Sequence, residues 1–281
     1  MKALVVGAGG QLGQALAARL GGSAPAFSRE ALDIRDGEAV GRAVLDAAPE
    51  VVFNASAYNK VDGAESEPAE AFAVNALGPL FLARACAAAG ALLVHVSTDY
   101  VFDGSGARPW REEDLPAPLG VYGASKLAGE HLVAAAAPAH LIVRTSAVLG
   151  VGASRAKGGS FVERILSRAR AGQPLRVVAD QTLAPTYAPD LAEALLALAA
   201  SGARGLWHVT GEGACTWHQL AVAALSLAGL AAPVAPISSA ELNAPARRPA
   251  YSVLDTSRYR ARALPRLRSW REALPSLLPS S

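Results

Sequence analysis

Cysteine, methionine and aromatic residues are scarce in this chain of 281 residues. It contains two cysteines and one methionine, and aromatic residues make up only 6% of it. Cys86 and Cys215 lie far apart in apolar, helix-like stretches, and neither has the spacing of a metal ligand set. We therefore predict no metal site from them and expect two buried thiols in a reducing, cytoplasmic setting.

The chain also lacks a large excess of charge of either sign. Its net charge is +2, and 18% of its residues are charged, which gives no electrostatic case for binding nucleic acid or a membrane surface. No apolar run reaches the roughly 18 residues of a membrane span before Gly, Pro or a charge interrupts it. Met1 and Lys2 lead straight into a strand-like segment, so we expect no signal peptide.

Apolar segments and helical patterns alternate through the first half of the chain. Hydrophobic residues make up 52% of the sequence, and this length allows one large α/β domain or two smaller ones that share a core. Uniformly apolar runs are typical of parallel strands buried on both faces. They predict strands near residues 3–6, 24–27, 49–54, 91–96 and 141–145. The alternation predicts an α/β fold with a Rossmann-type, doubly wound parallel sheet.

The pattern loosens after Gly150. A loop is expected at 152–159, followed by a mixture of helical and strand-like segments that includes a strand near 206–209. We therefore predict a dinucleotide-binding domain and a smaller C-terminal α/β substrate domain. The first comprises residues 1–150 plus about 187–201, and the second comprises about 151–186 and 202–281.

Three glycines follow the first predicted strand. Gly7, Gly10 and Gly13 have the spacing G-x-x-G-x-x-G, and a helical pattern that includes Gln11 and Leu12 begins between them. A strand, a tight glycine turn and a helix N-terminus together bring backbone N–H groups and the helix dipole close to a pyrophosphate. A glycine-rich turn without a ligand also fits the spacing, but its place at the start of a βα unit favours dinucleotide binding.

The residues after the second predicted strand bear on the choice of cofactor. NAD-specific sites usually have an acidic residue there, whereas this chain has Ser28 and Arg29. An arginine at this point can accept a 2′-phosphate, which favours NADPH without excluding NADH, although Arg29 also fits a solvated loop. Asp33 and Ile34 are expected along the adenine side of the site.

Polar residues also follow the third and fourth predicted strands. Ala57, Tyr58 and Asn59 come after the third strand, and Thr98 and Asp99 come after the fourth. Ligands bind at the carboxyl ends of strands in open α/β sheets, so we expect these residues at a site. The following helix contains a buried amide, Asn75, which needs a hydrogen-bond partner and is expected to tie the helix to a loop.

Tyr122 and Lys126 are the strongest catalytic candidates in the sequence. Their spacing of four places both side chains on one face of a helix. A fixed ammonium would favour the phenolate and lower the pKa of the tyrosine, which would make the phenol a better acid or base at neutral pH. By themselves the two residues also fit an ordinary surface pair.

Taken together, these motifs resemble the dTDP-4-dehydrorhamnose reductase family of the extended short-chain dehydrogenase/reductases. The matching segments run almost from end to end: Gly10-Gln11-Leu12-Gly13, Leu32-Asp33-Ile34, Asn54-Ala55-Ser56-Ala57-Tyr58, Val61-Asp62-Gly63-Ala64-Glu65, Ser97-Thr98-Asp99-Tyr100-Val101-Phe102, Tyr122-Gly123-Ala124-Ser125-Lys126-Leu127, Arg144-Thr145-Ser146, Asp180-Gln181, Pro185-Thr186 and Arg248-Pro249. The glycine turn, the Ser-Thr-Asp segment and the Tyr/Lys pair are specific in combination.

The resemblance implies reduction of the C4 ketone of a nucleotide-linked 4-keto-6-deoxy sugar, most specifically dTDP-4-dehydro-L-rhamnose, by NADPH or NADH. It implies that Thr98, Tyr122 and Lys126 are catalytic. The residues implied at the substrate are Thr98, Asp99, Ala147 and Arg248. Those implied at the cofactor are Gly7, Gly10, Gln11, Leu12, Arg29, Asp33, Ile34, Ala57, Tyr58, Asn59, Tyr122 and Lys126.

Two departures from the family lie where the sugar is expected. The family usually has a tryptophan after Thr-Ser, where this chain has Ala147, and Asn59 and Lys60 replace the usual Thr-Ala. Some members are described as dimers bridged by Mg²⁺ through glutamates. The first of those positions corresponds to Ala15, so a homodimer is possible but no metal is predicted.

Three other functions occur among proteins that share this scaffold or resemble this family. Dehydratases of this scaffold place Asp-Glu after the threonine, whereas Asp99 is followed by Tyr100, which argues against a dehydratase. A sugar-nucleotide epimerase shares the Thr, Tyr and Lys residues and stays open. A non-catalytic, NADP-binding subunit like the regulatory subunit of methionine adenosyltransferase also resembles the family, and the departures at Ala147 and Asn59 leave it open.

Overall fold

A computed structural model of the protein describes residues 1–150 and 159–278. The strands, in chain order, are β1 (Ala3–Val6), β2 (Ala26–Phe27), β3 (Val51–Asn54), β4 (Leu92–Thr98), β5 (His140–Thr145), β6 (Val148–Leu149), β7 (Leu175–Val178), β8 (Thr182–Leu183), β9 (Thr186–Tyr187), β10 (Gly205–His208), β11 (Cys215–Thr216) and β12 (Val234–Ile237). The α-helices are α1 (Gln11–Arg19), α2 (Gly37–Ala47), α3 (Val61–Ser66), α4 (Pro68–Phe72), α5 (Gly78–Ala89), α6 (Val121–Ala136), α7 (Phe161–Arg170), α8 (Ala188–Ala200), α9 (Trp217–Leu227), α10 (Ser239–Leu242), α11 (Ser257–Arg260) and α12 (Trp270–Ala273). A π turn (Ala73–Leu77) joins α4 to α5, and 3₁₀ turns cover Asp99–Val101 and Leu274–Leu277.

The main sheet has six strands in the order β10-β5-β4-β3-β1-β2, and every pair in it is parallel. Alternate strand residues enter two apolar layers: Val5 packs with α1 and α8 on one face, and Leu4 packs with α2, α5 and α6 on the other. Burial on both faces explains why these strands are apolar runs. The predicted α/β class and doubly wound parallel sheet are confirmed.

Strand order reverses at β1, whose neighbours are β2 and β3. In open α/β sheets this switch point, outside the carboxyl ends of the strands, is where ligands bind. The glycine turn at Gly7 to Gly10 leaves β1 at this edge. Thr98 ends β4 at the same edge, and α6 begins beside it.

The sequence placed residues 202–281 in the smaller domain, and for β10 this assignment is wrong. The strand pairs in parallel with β5, with Trp207 opposite Val143, and Trp207 is buried in the core between the main sheet and α8. Sequence order did not reveal the pairing because the whole region from β6 to α8 separates the two partners. A further apolar cluster, separate from the two layers on the main sheet, joins α7, α9 and β7 in the C-terminal half. The rest of the predicted division into domains stays a prediction. Of the loop expected at 152–159, residues 152–158 lie outside the described residues.

A single helical path runs from Pro68 to Ala89 through the π turn. It is long and apolar enough to cross a membrane by length and composition, but half of its most apolar window is buried inside the fold. A core helix of a globular domain meets the same criterion. Asn75 lies in the π turn and is fully buried, which places its amide against the segment after β3.

Candidate active site

A pocket of about 380 Å³ opens at the carboxyl ends of β3, β4 and β5. Its walls also include the N-terminus of α1, the first turns of α6 and three segments from the C-terminal half of the chain. The predicted site residues that line it are Gly10, Gln11, Leu12, Ala57, Asn59, Thr98, Asp99, Tyr122, Lys126 and Ala147. Ten expected residues from five separate parts of the sequence therefore meet in one cavity.

The glycine turn fits a dinucleotide diphosphate. Gly7 has φ +89°, and a Cβ there would lie 2.5 Å from the Ser56 amide nitrogen. A Cβ at Gly13 would lie 2.1 Å from the Gly7 carbonyl oxygen. Gly10 begins α1 without a side-chain cap, so the helix N-terminus faces the pocket and is available to an anion.

The expected adenosine end of the site carries two arginines rather than one. Arg29, with its side chain 67% exposed, pairs with Glu70 at 3.1 Å. Arg35 also pairs with Glu70, at 2.7 Å, and its guanidinium holds the pKa of Asp33 down to about 2. Sequence reasoning missed Arg35, although its position two residues after Asp33 was a signal. Ile34 lies in the core against Gly78, so its side chain does not face the pocket.

Asn75 holds the segment after β3 against α6. Its Oδ1 accepts from the Tyr58 backbone N–H at 2.9 Å, and its Nδ2 donates to the Tyr58 carbonyl and to Ser125 Oγ, each at 3.0 Å. The expected bond between helix and loop is confirmed. The Tyr58 ring points elsewhere, because its hydroxyl donates to Glu67 Oε2 at 2.6 Å.

Three catalytic candidates converge from β4 and α6. Thr98 ends β4, Tyr122 is the second residue of α6, and Lys126 follows one turn later. Thr98 and Tyr122 are hydrogen-bonded through their hydroxyls. Lys126 Nζ donates to the Val96 carbonyl oxygen at 2.6 Å. A hydroxyl, a phenol and an amine therefore share one wall of the pocket.

The electrostatics of this group differ from the sequence expectation. Burial raises the pKa of Tyr122 to about 12, and the negative charge of Asp99 adds to the rise while the Thr98 hydrogen bond opposes it. Burial lowers the pKa of Lys126 to about 8, against the influence of Glu130. The expectation of a lowered Tyr122 pKa is therefore wrong for this structure, because burial has the largest influence and the opposing hydrogen bond comes from Thr98 rather than from Lys126.

Asp99 lies beneath the hydroxyls of the site. It is 3% exposed, and burial raises its pKa to about 6 although the Ser252, Ser146 and Thr98 hydroxyls hydrogen-bond to it. Ser146 Oγ donates to its Oδ2 at 2.7 Å. Sequence reasoning missed Ser252, which has no local motif and reaches the site from the far end of the chain.

The two remaining substrate candidates differ in their placement. Ala147 lines the pocket with φ +38°, and its carbonyl oxygen accepts from the Thr186 N–H at 3.1 Å. Arg248 lies outside the lining and pairs with Asp62 at 2.8 Å, so its contact with substrate stays a prediction. An unexpected ring, Trp217 at the start of α9, also lines the pocket.

The cysteines lie away from this chemistry. Cys86 and Cys215 are free and buried, and burial raises the pKa of each thiol to about 12. The expected buried thiols are therefore confirmed. Across residues 1–150 and 159–278, no three His, Cys, Asp or Glu side chains are grouped so that they could hold a metal ion.

Comparison with known proteins agrees with this geometry. The family model described as "RmlD substrate binding domain" matches residues 1–281. The chain is also 45% identical over 287 residues to dTDP-4-dehydrorhamnose reductase from Streptomyces griseus, with 99% of this chain and 93% of that protein covered. This chain belongs to the dTDP-4-dehydrorhamnose reductase family.

Two further relatives extend the agreement. A dTDP-4-dehydrorhamnose reductase from Mycobacterium tuberculosis is 47% identical over 286 residues, which cover 98% of this chain and 91% of that protein. The crystal structure of dTDP-4-dehydrorhamnose reductase from Bacillus anthracis in complex with NADP superposes with a TM-score of 0.92 at 35% identity, covering 99% of each chain. Members of the family thus share the fold of this chain over its whole length.

Proposed function

We propose that this protein reduces the C4 ketone of a nucleotide-linked 4-keto-6-deoxy sugar with NADPH or NADH. The substrate it fits best is dTDP-4-dehydro-L-rhamnose, which would give dTDP-L-rhamnose. One observation carries the proposal: Thr98, Tyr122 and Lys126 meet in the pocket that also contains the glycine turn. Family membership supports the choice of sugar and nucleotide.

The bound nicotinamide cofactor would supply a hydride for the ketone carbon, and the side chains of this chain handle the oxygen. Tyr122 stays protonated at neutral pH because burial raises its pKa, so it can give a proton to the developing alkoxide. Thr98 is placed to hydrogen-bond the same oxygen, and Lys126 would hold the nicotinamide ribose. General acid help of this kind contributes about 10²–10⁴-fold, and fixed positions and oriented donors contribute much of the rest.

The residues at the adenosine end support NADPH over NADH. Arg29 and Arg35 both pair with Glu70, so their guanidinium groups lie close together in the segment after β2, which is the segment expected to meet the 2′-phosphate of NADPH. Guanidinium groups suit phosphate because they can donate two parallel hydrogen bonds. A direct comparison of KM for NADPH and NADH, in the native protein and in Arg29→Ala, tests this preference.

The function is tested by following loss of the near-ultraviolet absorbance of NADPH with dTDP-4-dehydro-L-rhamnose and with other nucleotide ketosugars. We expect fastest consumption with the dTDP-linked sugar and dTDP-L-rhamnose as product. Tightly retained cofactor without net NADPH consumption would indicate an epimerase. Stable capture of a methionine adenosyltransferase without ketosugar turnover would indicate a regulatory subunit.

We also infer that the protein works in the cytoplasm, where NADPH is available and buried free thiols such as Cys86 stay reduced. A homodimer is possible by resemblance to the family. Sedimentation of the purified protein at several concentrations would test the oligomeric state.

A further inference from the structure

The Thr98 hydroxyl has so many hydrogen-bond partners within the protein that it cannot bond all of them and a substrate at once. A hydroxyl has one proton to donate and two lone pairs that accept. The Tyr100 backbone N–H donates to Thr98 Oγ1 at 3.2 Å, the Tyr122 hydroxyl is bonded to it, and Asp99 Oδ1 lies 3.2 Å away. When Asp99 is ionised it can only accept, so the Thr98 proton is directed to Asp99. One lone pair of Thr98 is then taken by the Tyr100 N–H.

In this arrangement the Thr98 hydroxyl is turned away from a ketone, because its proton is held by the Asp99 carboxylate. The charge of Asp99 also raises the pKa of Tyr122, which makes the phenol a weaker acid. An ionised Asp99 therefore opposes proton donation through both hydroxyls.

The surroundings of Asp99 favour its neutral form. The carboxyl is sealed from solvent, and burial is the largest influence on it. Ser146 and Ser252 donate hydrogen bonds to it without charge. The titratable and charged groups around it are Tyr100 on its own turn, Tyr122 and Lys126 from α6, and Arg248, which contacts Tyr100 from the segment before Ser252.

We propose that Asp99 is a positioning residue whose protonation decides which way the Thr98 hydroxyl donates, and that only the neutral acid frees the Thr98 proton for the ketone oxygen. The neutral acid donates its own proton to Thr98 Oγ1. With the Tyr100 N–H still in place, both lone pairs of Thr98 are then filled, and the Thr98 proton turns toward the pocket. This inference rests on the proposed reductase function and adds a control that sequence resemblance does not imply.

The test is the pH dependence of kcat/KM, which reports groups in the free enzyme. We expect kcat/KM to fall as pH rises through the pKa of Asp99, about 6 in the structure, approaching about tenfold per pH unit above it. In Asp99→Asn the amide Nδ2 donates to Thr98 at every pH, while its oxygen accepts from Ser146. The rate that remains in the variant, whatever its level, should lose this fall with rising pH.

Asp103→Asn is the matched control, because Asp103 is a nearby carboxylate that bonds Ser105 in an exposed turn. It should keep the native profile. A native rate that is flat or rises through this range contradicts the proposal. So does an Asp99→Asn protein whose rate still falls as the pH rises through this range.

An infrared titration of the ligand-free protein provides a readout that needs no turnover. A protonated-carboxyl band should appear as the pH falls through the Asp99 pKa, and it should be missing in Asp99→Asn. Absence of that band from the native protein overturns the proposal even if no ketosugar is reduced. Failure of the reductase function alone would leave the band in place, so the two failures are distinguishable.

Discussion

Arg144 on β5 and Glu130 on α6 form a buried ion pair with hydrogen bonds from Nε to Oε1 at 2.9 Å and from Nη2 to Oε2 at 2.7 Å. Their side chains are only 3% and 6% exposed. The Ser97 hydroxyl donates to the same carboxylate. The Glu130 carboxylate therefore fastens α6, which carries Tyr122, to β5 through Arg144 and to the end of β4 through Ser97, the residue before Thr98.

Loss of this carboxylate should destabilise the fold strongly. Glu130→Ala would leave the Arg144 guanidinium buried without a counter-charge, at a cost of about 3–5 kcal/mol in the free energy of unfolding. Denaturant titration measures the change. Arg42→Ala is the control, because Arg42 pairs with Glu38 on the exposed face of α2 and its loss should cost less than about 0.5 kcal/mol. A small effect at Glu130 would show that the pair does not hold α6 in place.

Lys126 should make the ligand-free protein less stable at neutral pH. Burial lowers its pKa from 10.5 to about 8, so the folded protein holds a buried ammonium below pH 8 at a cost of up to about 3 kcal/mol. Lys126→Met removes that charge. The variant should unfold at higher denaturant concentration at pH 7, although it should not turn over ketosugar.

The sign of this effect depends on pH. Between the folded and unfolded pKa values of Lys126 the unfolded chain binds more protons, so the stability of the native protein rises with pH in that window. The advantage of Lys126→Met should therefore be complete below pH 8 and disappear as the pH passes 10.5. An advantage that grows with pH, or a variant less stable than the native protein at pH 7, would contradict this reading.

Gly13→Ala should weaken cofactor binding. The new Cβ would lie 2.1 Å from the Gly7 carbonyl oxygen, so the turn must open and α1 must move away from the diphosphate site. Titration of NADPH fluorescence should show at least a tenfold weaker Kd, about 1.4 kcal/mol or more. Gly41→Ala on α2, where the added methyl meets open space, should instead raise stability by about 0.5–1 kcal/mol. Normal NADPH binding in Gly13→Ala would exclude the glycine turn as the cofactor cradle.

Ala147→Gly should relieve backbone strain inside the pocket. Ala147 has φ +38°, a region that costs a residue with a Cβ about 1–2 kcal/mol, and part of the gain is offset by the freer unfolded chain. We expect thermal unfolding to show a gain of up to about 1 kcal/mol. Ala48→Gly, at φ 39° on the exposed end of α2, is the matched control and should show a similar gain in stability. Only Ala147→Gly should alter the KM for the ketosugar, and an equal KM in both variants would remove Ala147 from the substrate site.

Local patterns in the sequence predicted much of the site. Strand-like runs, the glycine spacing and the Tyr122/Lys126 pair each depend on neighbouring residues, and resemblance to the family connected them. Contacts between distant segments were not predictable in this way. Ser252 reaches Asp99 through the packing of the C-terminal half, and the shifted pKa of Tyr122 follows from burial, which spacing alone does not show.

The proposed reduction depends on Tyr122 as the proton donor, and Tyr122→Phe removes that proton while leaving the ring in place. The ring still packs against Tyr100, as the native ring does with 5.9 Å between centroids, while the acidic proton is removed. With NADPH and dTDP-4-dehydro-L-rhamnose supplied, kcat should fall by about 10²–10⁴-fold, and the Kd for NADPH should stay within a few-fold of the native value. A variant that oxidises NADPH at a near-native rate would contradict the account.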